Sequence, residues 1–217
     1  MHTSTSRHLL AALLLGSMYC TSSLAVAAPS TELIAEYNQA AAGKGDMSAV
    51  LAKLTELKAQ QGADPLTLVY WGSAKTMSAS NEFWPWRKYQ TAEDGLSAID
   101  KAVQLLTTSS SDERRLGLDA TSLTRAIAAV TYTAVPKMFN RFERGYDLFI
   151  TLLESPQFQA VPAQYTGWIY QRAISTAIKA DDLAQAEQWQ QQLARFAPSA
   201  PLTQATAAMI ANTHKGA

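Results

Sequence analysis

Apolar residues recur along the chain at intervals of three and four, which winds them onto one side of a helix. Between residues 31 and 42 the stripe is Leu33, Ile34, Tyr37 and Ala41. Gly43 and Gly45 end it, and the Asp46 carboxylate is suited to cap the helix that follows. Val50, Leu51, Leu54 and Leu57 form a second stripe that runs to Gly62. Asp64-Pro65 opens a third helix, because the first turn has no use for the N–H that proline lacks. The same spacing predicts further helices at about 88–106, 113–134, 141–154, 163–179, 182–195 and 201–213. Nine helices, short turns and no run of the alternating kind predict an all-α chain.

The second helix of each successive pair carries a similar pattern. One copy reads Gly45-Asp46-Met47, then Val50, Leu54 and Leu57. Another has Gly95, Ile99 and Ala102; a third has Phe142, Gly145, Phe149 and Leu152, followed by Pro156. The fourth is Asp181-Asp182-Leu183, then Ala186, Gln190 and Leu193, with Pro198 beyond. A small residue lets helices approach closely, and a large one four places later packs as a knob. This resembles the tetratricopeptide repeat, with Tyr170, Ala173, Ile174 and Ala177 matching its first helix in the fourth copy. Gln190 departs from that pattern, with Trp189 one place early, and the copies are spaced by about 41 to 50 residues rather than the usual 34. The resemblance implies antiparallel helix pairs stacked as a short solenoid of about four pairs. The alternative is an irregular, non-repeating helical bundle.

A narrower likeness rests on Val69-Tyr70-Trp71-Gly72-Ser73-Ala74, on Trp84-Pro85-Trp86-Arg87-Lys88 and on Ala92-Glu93-Asp94-Gly95-Leu96. These stretches are similar to a group of exported bacterial repeat proteins, some encoded beside export-type ABC transporters. The likeness implies an accessory or scaffolding part with a protein or peptide partner, such as an envelope transporter component.

Residues 1–28 read as an address. Arg7 precedes a short apolar core from Leu9 to Met18, and Ala25-Val26-Ala27 supplies the small residues that a signal peptidase accepts. Roughly ten apolar residues are half of what spans a bilayer. A secretory signal cut after Ala27 or Ala28 is therefore expected, which would place residues 29–217 in the periplasm or outside the cell as a single domain. Tyr19 ahead of Cys20 departs from a lipoprotein signal, which wants a small residue there. The mature chain would have no cysteine and no transmembrane segment.

Composition narrows the chemistry. Of 217 residues 47% are hydrophobic, and 18 basic side chains balance 18 acidic ones. A nucleic-acid binder needs a basic face to displace phosphate counterions, and this balance argues against one. The histidines, His2, His8 and His214, sit near the two ends, so Ser-His-Asp, Cys-His and histidine-metal arrangements lack their parts. Neither a metal nor a cofactor is expected, and His214 reads as a residue of a frayed tail. The one enzyme reading left is a glycan-cleaving helical protein using Glu82 or Glu154 as acid. Glu154-Ser155 with Phe158 resembles the acid region of lytic transglycosylases, but their downstream Gly-Leu-Met-Gln motif is absent and Pro156 makes the segment a helix end.

One segment stands apart. Residues 80–90, Ser-Asn-Glu-Phe-Trp-Pro-Trp-Arg-Lys-Tyr-Gln, place Phe83, Trp84, Trp86 and Tyr89 around Pro85, with Arg87 and Lys88 beside them. Trp84 precedes proline and is steered out of the helical region, predicting an inserted link between paired helices. Aromatics beside cations suit an interface anchor; alternatively the tryptophans fold back over the core as a lid. A second link, residues 135–141, adds Phe139, Arg141 and Lys137, and corresponding positions in adjacent repeats would put both links on one rim. Trp71, Trp168, Tyr170 and Trp189 fall inside periodic helices and read as core.

Overall fold

A computed structural model describes residues 28–61, 64–106 and 114–216. The export leader expected over residues 1–28 lies, apart from Ala28, outside the described residues. Helix α1 (Thr31–Ala41) begins where the Ser30 hydroxyl accepts from the Leu33 N–H. Helix α2 (Met47–Gln61) follows, with the Asp46 carboxylate accepting from the Ser48 N–H at 2.8 Å. Asp64 caps α3 (Pro65–Ser78) on the Thr67 N–H at 2.7 Å, with Pro65 in the first turn. Both aspartates thus act as the sequence predicts.

Helix α4 (Pro85–Leu105) starts three residues earlier than expected. Pro85 supplies a helical φ at N1, so the chain turns helical at once and the inserted link shrinks to a 3₁₀ turn at Ala79–Asn81 and three residues beyond it. A second correction concerns 113–134. Arg114–Arg115 (β1) pairs antiparallel with Leu118–Asp119 (β2), where no strand was expected. Leu116 and Gly117 turn the chain at φ +52° and +80°, a left-handed pair that a continuous helix excludes. Asp119 then caps α5 (Ala120–Ala134) on the Ser122 N–H. After a 3₁₀ turn at Lys137–Phe139 come α6 (Phe142–Glu154) and α7 (Pro156–Gln159), a single unexpected turn that Pro156 opens. Helix α8 (Ala163–Lys179), α9 (Leu183–Phe196, capped by Asp182) and α10 (Pro201–Gly216) complete an all-α chain.

Helices α1, α3, α5, α8 and α10 follow one another in a row, each in contact with the next. Helices α2, α4, α6 and α9 each pack on the two row helices that flank them in sequence. The predicted small and large positions carry these contacts: Gly95, Ile99 and Ala102 are buried, as are Gly145, Phe149 and Leu152, and Ala186 and Leu193. Gln190 is only half-buried, and the ring one place earlier, Trp189, fills the core instead. Helices α3 and α4 meet most closely at Gly72 and Gly95, where a β-carbon on either would lie 2.5 Å from the other's carbonyl oxygen. Across the row, the Tyr37 hydroxyl, Ser73 Oγ and Thr131 Oγ1 form a buried chain with 2.7 Å links, and Thr131 donates on to the Ile127 carbonyl. Burial pushes the Tyr37 phenol up to about 12, although its bond to Ser73 opposes the shift.

Candidate functional site

Trp84 has an extended backbone ahead of Pro85 and closes the link between α3 and α4. Phe83 is 82% exposed, Trp84 47%, Trp86 61% and Tyr89 45%. Three of these rings pack on one another. Trp84 and Trp86 stack at 4.7 Å, and Phe83 meets Trp84 edge-on at 4.9 Å. The lid reading of the tryptophans is therefore set aside in favour of an exposed cluster.

The second link reaches the same surface. Phe139 is buried, not exposed as expected, because Tyr89 stacks on it at 5.3 Å. That stack joins the start of α4 to the second link. Met138, which sequence reasoning did not single out, is 69% exposed beside it. Among the described residues only Tyr165 and Phe196 are large exposed hydrophobics outside these two links.

The cations differ in their commitments. Arg87 and Lys88 are exposed on the first turn of α4. Arg141 is spoken for: it donates to Asp100 at 3.1 Å and lies 3.9 Å from Glu93. Asp100 also accepts from Arg144 at 2.6 Å and from the Tyr132 hydroxyl at 2.5 Å. Burial first, and then the bond to Asp100, raises the Tyr132 phenol well above its ordinary range. Asp100 thus ties α4 to α5 and α6, and Arg141 is committed to that network rather than free at the aromatic surface.

A second concavity lies along the helix row, with a volume of about 370 Å³. Asn38 of α1, Tyr70 of α3, Ile127 of α5 and one face of α8 line it. Trp168 stands on that face half-buried, and Trp71 is also only half-buried, its indole N–H donating to Thr55 at 2.9 Å. Both are partly buried and pack against the core, whereas Tyr170 and Trp189 are fully buried as expected.

The other titratable candidates take ordinary places. Glu154 is exposed at the end of α6, and Glu82 is half-buried, accepting a long 3.4 Å bond from Thr91. His214 is no frayed residue: it sits in α10 with its Nε2 at 2.9 Å from Glu187. Among the described residues no group of three His, Cys, Asp or Glu side chains is placed to hold a metal ion, and no helix is long and apolar enough to cross a membrane. No protein-family model, curated protein or solved structure matches the chain.

Proposed function

We propose that this chain is an exported, non-catalytic helical-repeat protein that binds a protein or peptide partner as a scaffold or accessory factor of an envelope transport system. The aromatic surface carries this reading. Phe83, Trp84, Trp86, Tyr89 and Met138 each keep a large share of their surface in solvent, and the first three stack on one another, a state whose cost a partner relieves by covering it. Trp, Tyr, Met and Arg are the residues enriched in interface cores, and Arg87 and Lys88 supply a cationic rim. The Tyr89–Phe139 stack ties that surface to two successive helix links, so a partner would read adjacent repeats together.

A tetratricopeptide-like solenoid is the architecture proposed for it. The continuous row with its flanking helices, and the buried small and large positions of α4 and α6, support this over an irregular bundle. The glycan-cleaving alternative draws no support from Glu154, an exposed helix-end residue that does not line the groove. The test is the double substitution Trp84→Ala with Trp86→Ala. Partner capture from the native envelope is expected to vanish while the fold stays intact. Retained capture would place the interface elsewhere, and peptidoglycan release by the purified protein, lost on Glu154→Gln, would overturn the non-catalytic reading.

A further inference from the structure

The groove along the helix row is unconnected with the aromatic links, and its chemistry differs from theirs. We propose that it is a binding site for a neutral oligosaccharide. Its volume of about 370 Å³ falls within the roughly 300–1,000 Å³ of small-molecule sites. Gln164, Tyr165, Trp168, Gln171 and Arg172 all line it, a continuous stripe along one face of α8. The stripe flanks two planar aromatic rings with planar hydrogen-bonding groups. Tyr165 is seated by the β1–β2 turn: its ring lies so close over Gly117 that a β-carbon there would come within 2.5 Å of the ring carbon Cδ1. The hairpin that sequence reasoning missed thus positions one wall of the groove.

The polar groups along the groove are free to meet a ligand. The Asn38, Gln164, Gln171 and Arg172 side chains make no hydrogen bond or ion pair with any other described residue. Tyr70, another lining residue, is 1% exposed, and its hydroxyl has no hydrogen-bond partner among the described residues. A buried hydroxyl left unpaired costs about 1–3 kcal/mol, so such groups in folded proteins call for a specific explanation. Thr124, Arg141, Tyr170 and Gln192 also carry unpaired buried atoms, and Tyr70 differs from them in lining the groove, from which a ligand acceptor would reach it.

The class of ligand follows from what the groove offers. No carboxylate lines it, so a cation has nothing to pair with, and the single Arg172 is a thin complement for a polyanion. A purely apolar ligand would leave three amides and the phenol unpaired. A pyranose has an apolar C–H face to lie on Trp168 or Tyr165. Its rim of hydroxyls both donates and accepts, as the amides of Asn38, Gln164 and Gln171 do.

The test uses the full chain titrated with chitotriose and with cellotriose, followed by tryptophan fluorescence and calorimetry. Saturable binding of at least one trisaccharide is expected, and Gln171→Ala should weaken it about tenfold. Tyr70→Phe is the decisive variant. It removes only an unpaired hydroxyl, so the melting temperature should hold or rise while affinity falls about tenfold. Binding of neither sugar, wild-type affinity in Tyr70→Phe, or saturation of the groove by an extended hexapeptide instead would each overturn the proposal. The Trp84→Ala/Trp86→Ala variant should bind sugar normally, so this site and the partner surface stand or fall separately.

Discussion

The crossing of α3 and α4 makes Gly95→Ala a demanding test of the helix-pair packing. A β-carbon on Gly95 would sit 2.5 Å from the Gly72 carbonyl oxygen and 2.7 Å from the Thr76 backbone nitrogen. Both are backbone atoms, so no side-chain rotation relieves the overlap and the helices must separate. Overpacking of a tight core costs about 1–3 kcal/mol, and an immovable neighbour puts this site at the top of that range. Alanine returns about 1 kcal/mol through its better helix propensity. The net loss is about 2 kcal/mol, which lowers the melting temperature of a domain this size by about 4–8 °C. Gly167→Ala is the matched control: its β-carbon would meet only the Leu202 side-chain end, at 2.9 Å, and that methyl can rotate away. With the same propensity gain it should melt at the native temperature or up to about 4 °C above it. Far-ultraviolet circular dichroism during a thermal scan reads both. If Gly95→Ala melts at or above the native temperature, or Gly167→Ala falls as far, the close crossing is wrong.

Three further outcomes are expected. Trp84→Ala with Trp86→Ala should change stability by no more than about 0.5 kcal/mol per site, since both rings are substantially solvent-exposed; a fall of several kcal/mol in chemical unfolding would return them to the core. Asp100→Ala should cost about 2–3 kcal/mol, because it strands Arg141, Arg144 and the Tyr132 hydroxyl around a site only 22% exposed; a loss below about 0.5 kcal/mol in urea unfolding would show the network to be idle. Tyr37, raised to about 12, should stay protonated in the folded state while the unfolded chain ionises near 10. Its contribution is complete below pH 10 and is lost as pH climbs toward 12; Tyr70, Tyr132, Tyr146 and Tyr170 are raised too and share the fall, so Tyr37→Phe should make it less steep without removing it. A profile as steep in Tyr37→Phe as in the native protein would contradict this.

Helices were legible where a local signal decides them. Asp46, Asp64 and Asp182 announce helix starts because a short carboxylate bonds free backbone N–H groups whatever the rest of the fold does. The β1–β2 hairpin was not legible, since its two-residue strands are too short for a period to register and the Leu116-Gly117 turn hides inside a helical stripe. Exposure was harder still. Phe83 and Phe139 look alike in sequence, and only the tertiary placement of Tyr89 buries one and leaves the other in solvent. The groove gave no signal, because Asn38, Tyr70 and Trp168 come from three helices that only the row brings together.

The proposed partner-binding role is tested most directly by placing a photocrosslinking amino acid at position 83, the most exposed of the aromatic positions, in the full chain expressed in its native cell. The account predicts one discrete protein adduct that disappears when Trp84 and Trp86 are both alanine and is absent from a control probe at Ala52, exposed on α2. No adduct from position 83, or the same adduct from position 52, would contradict it.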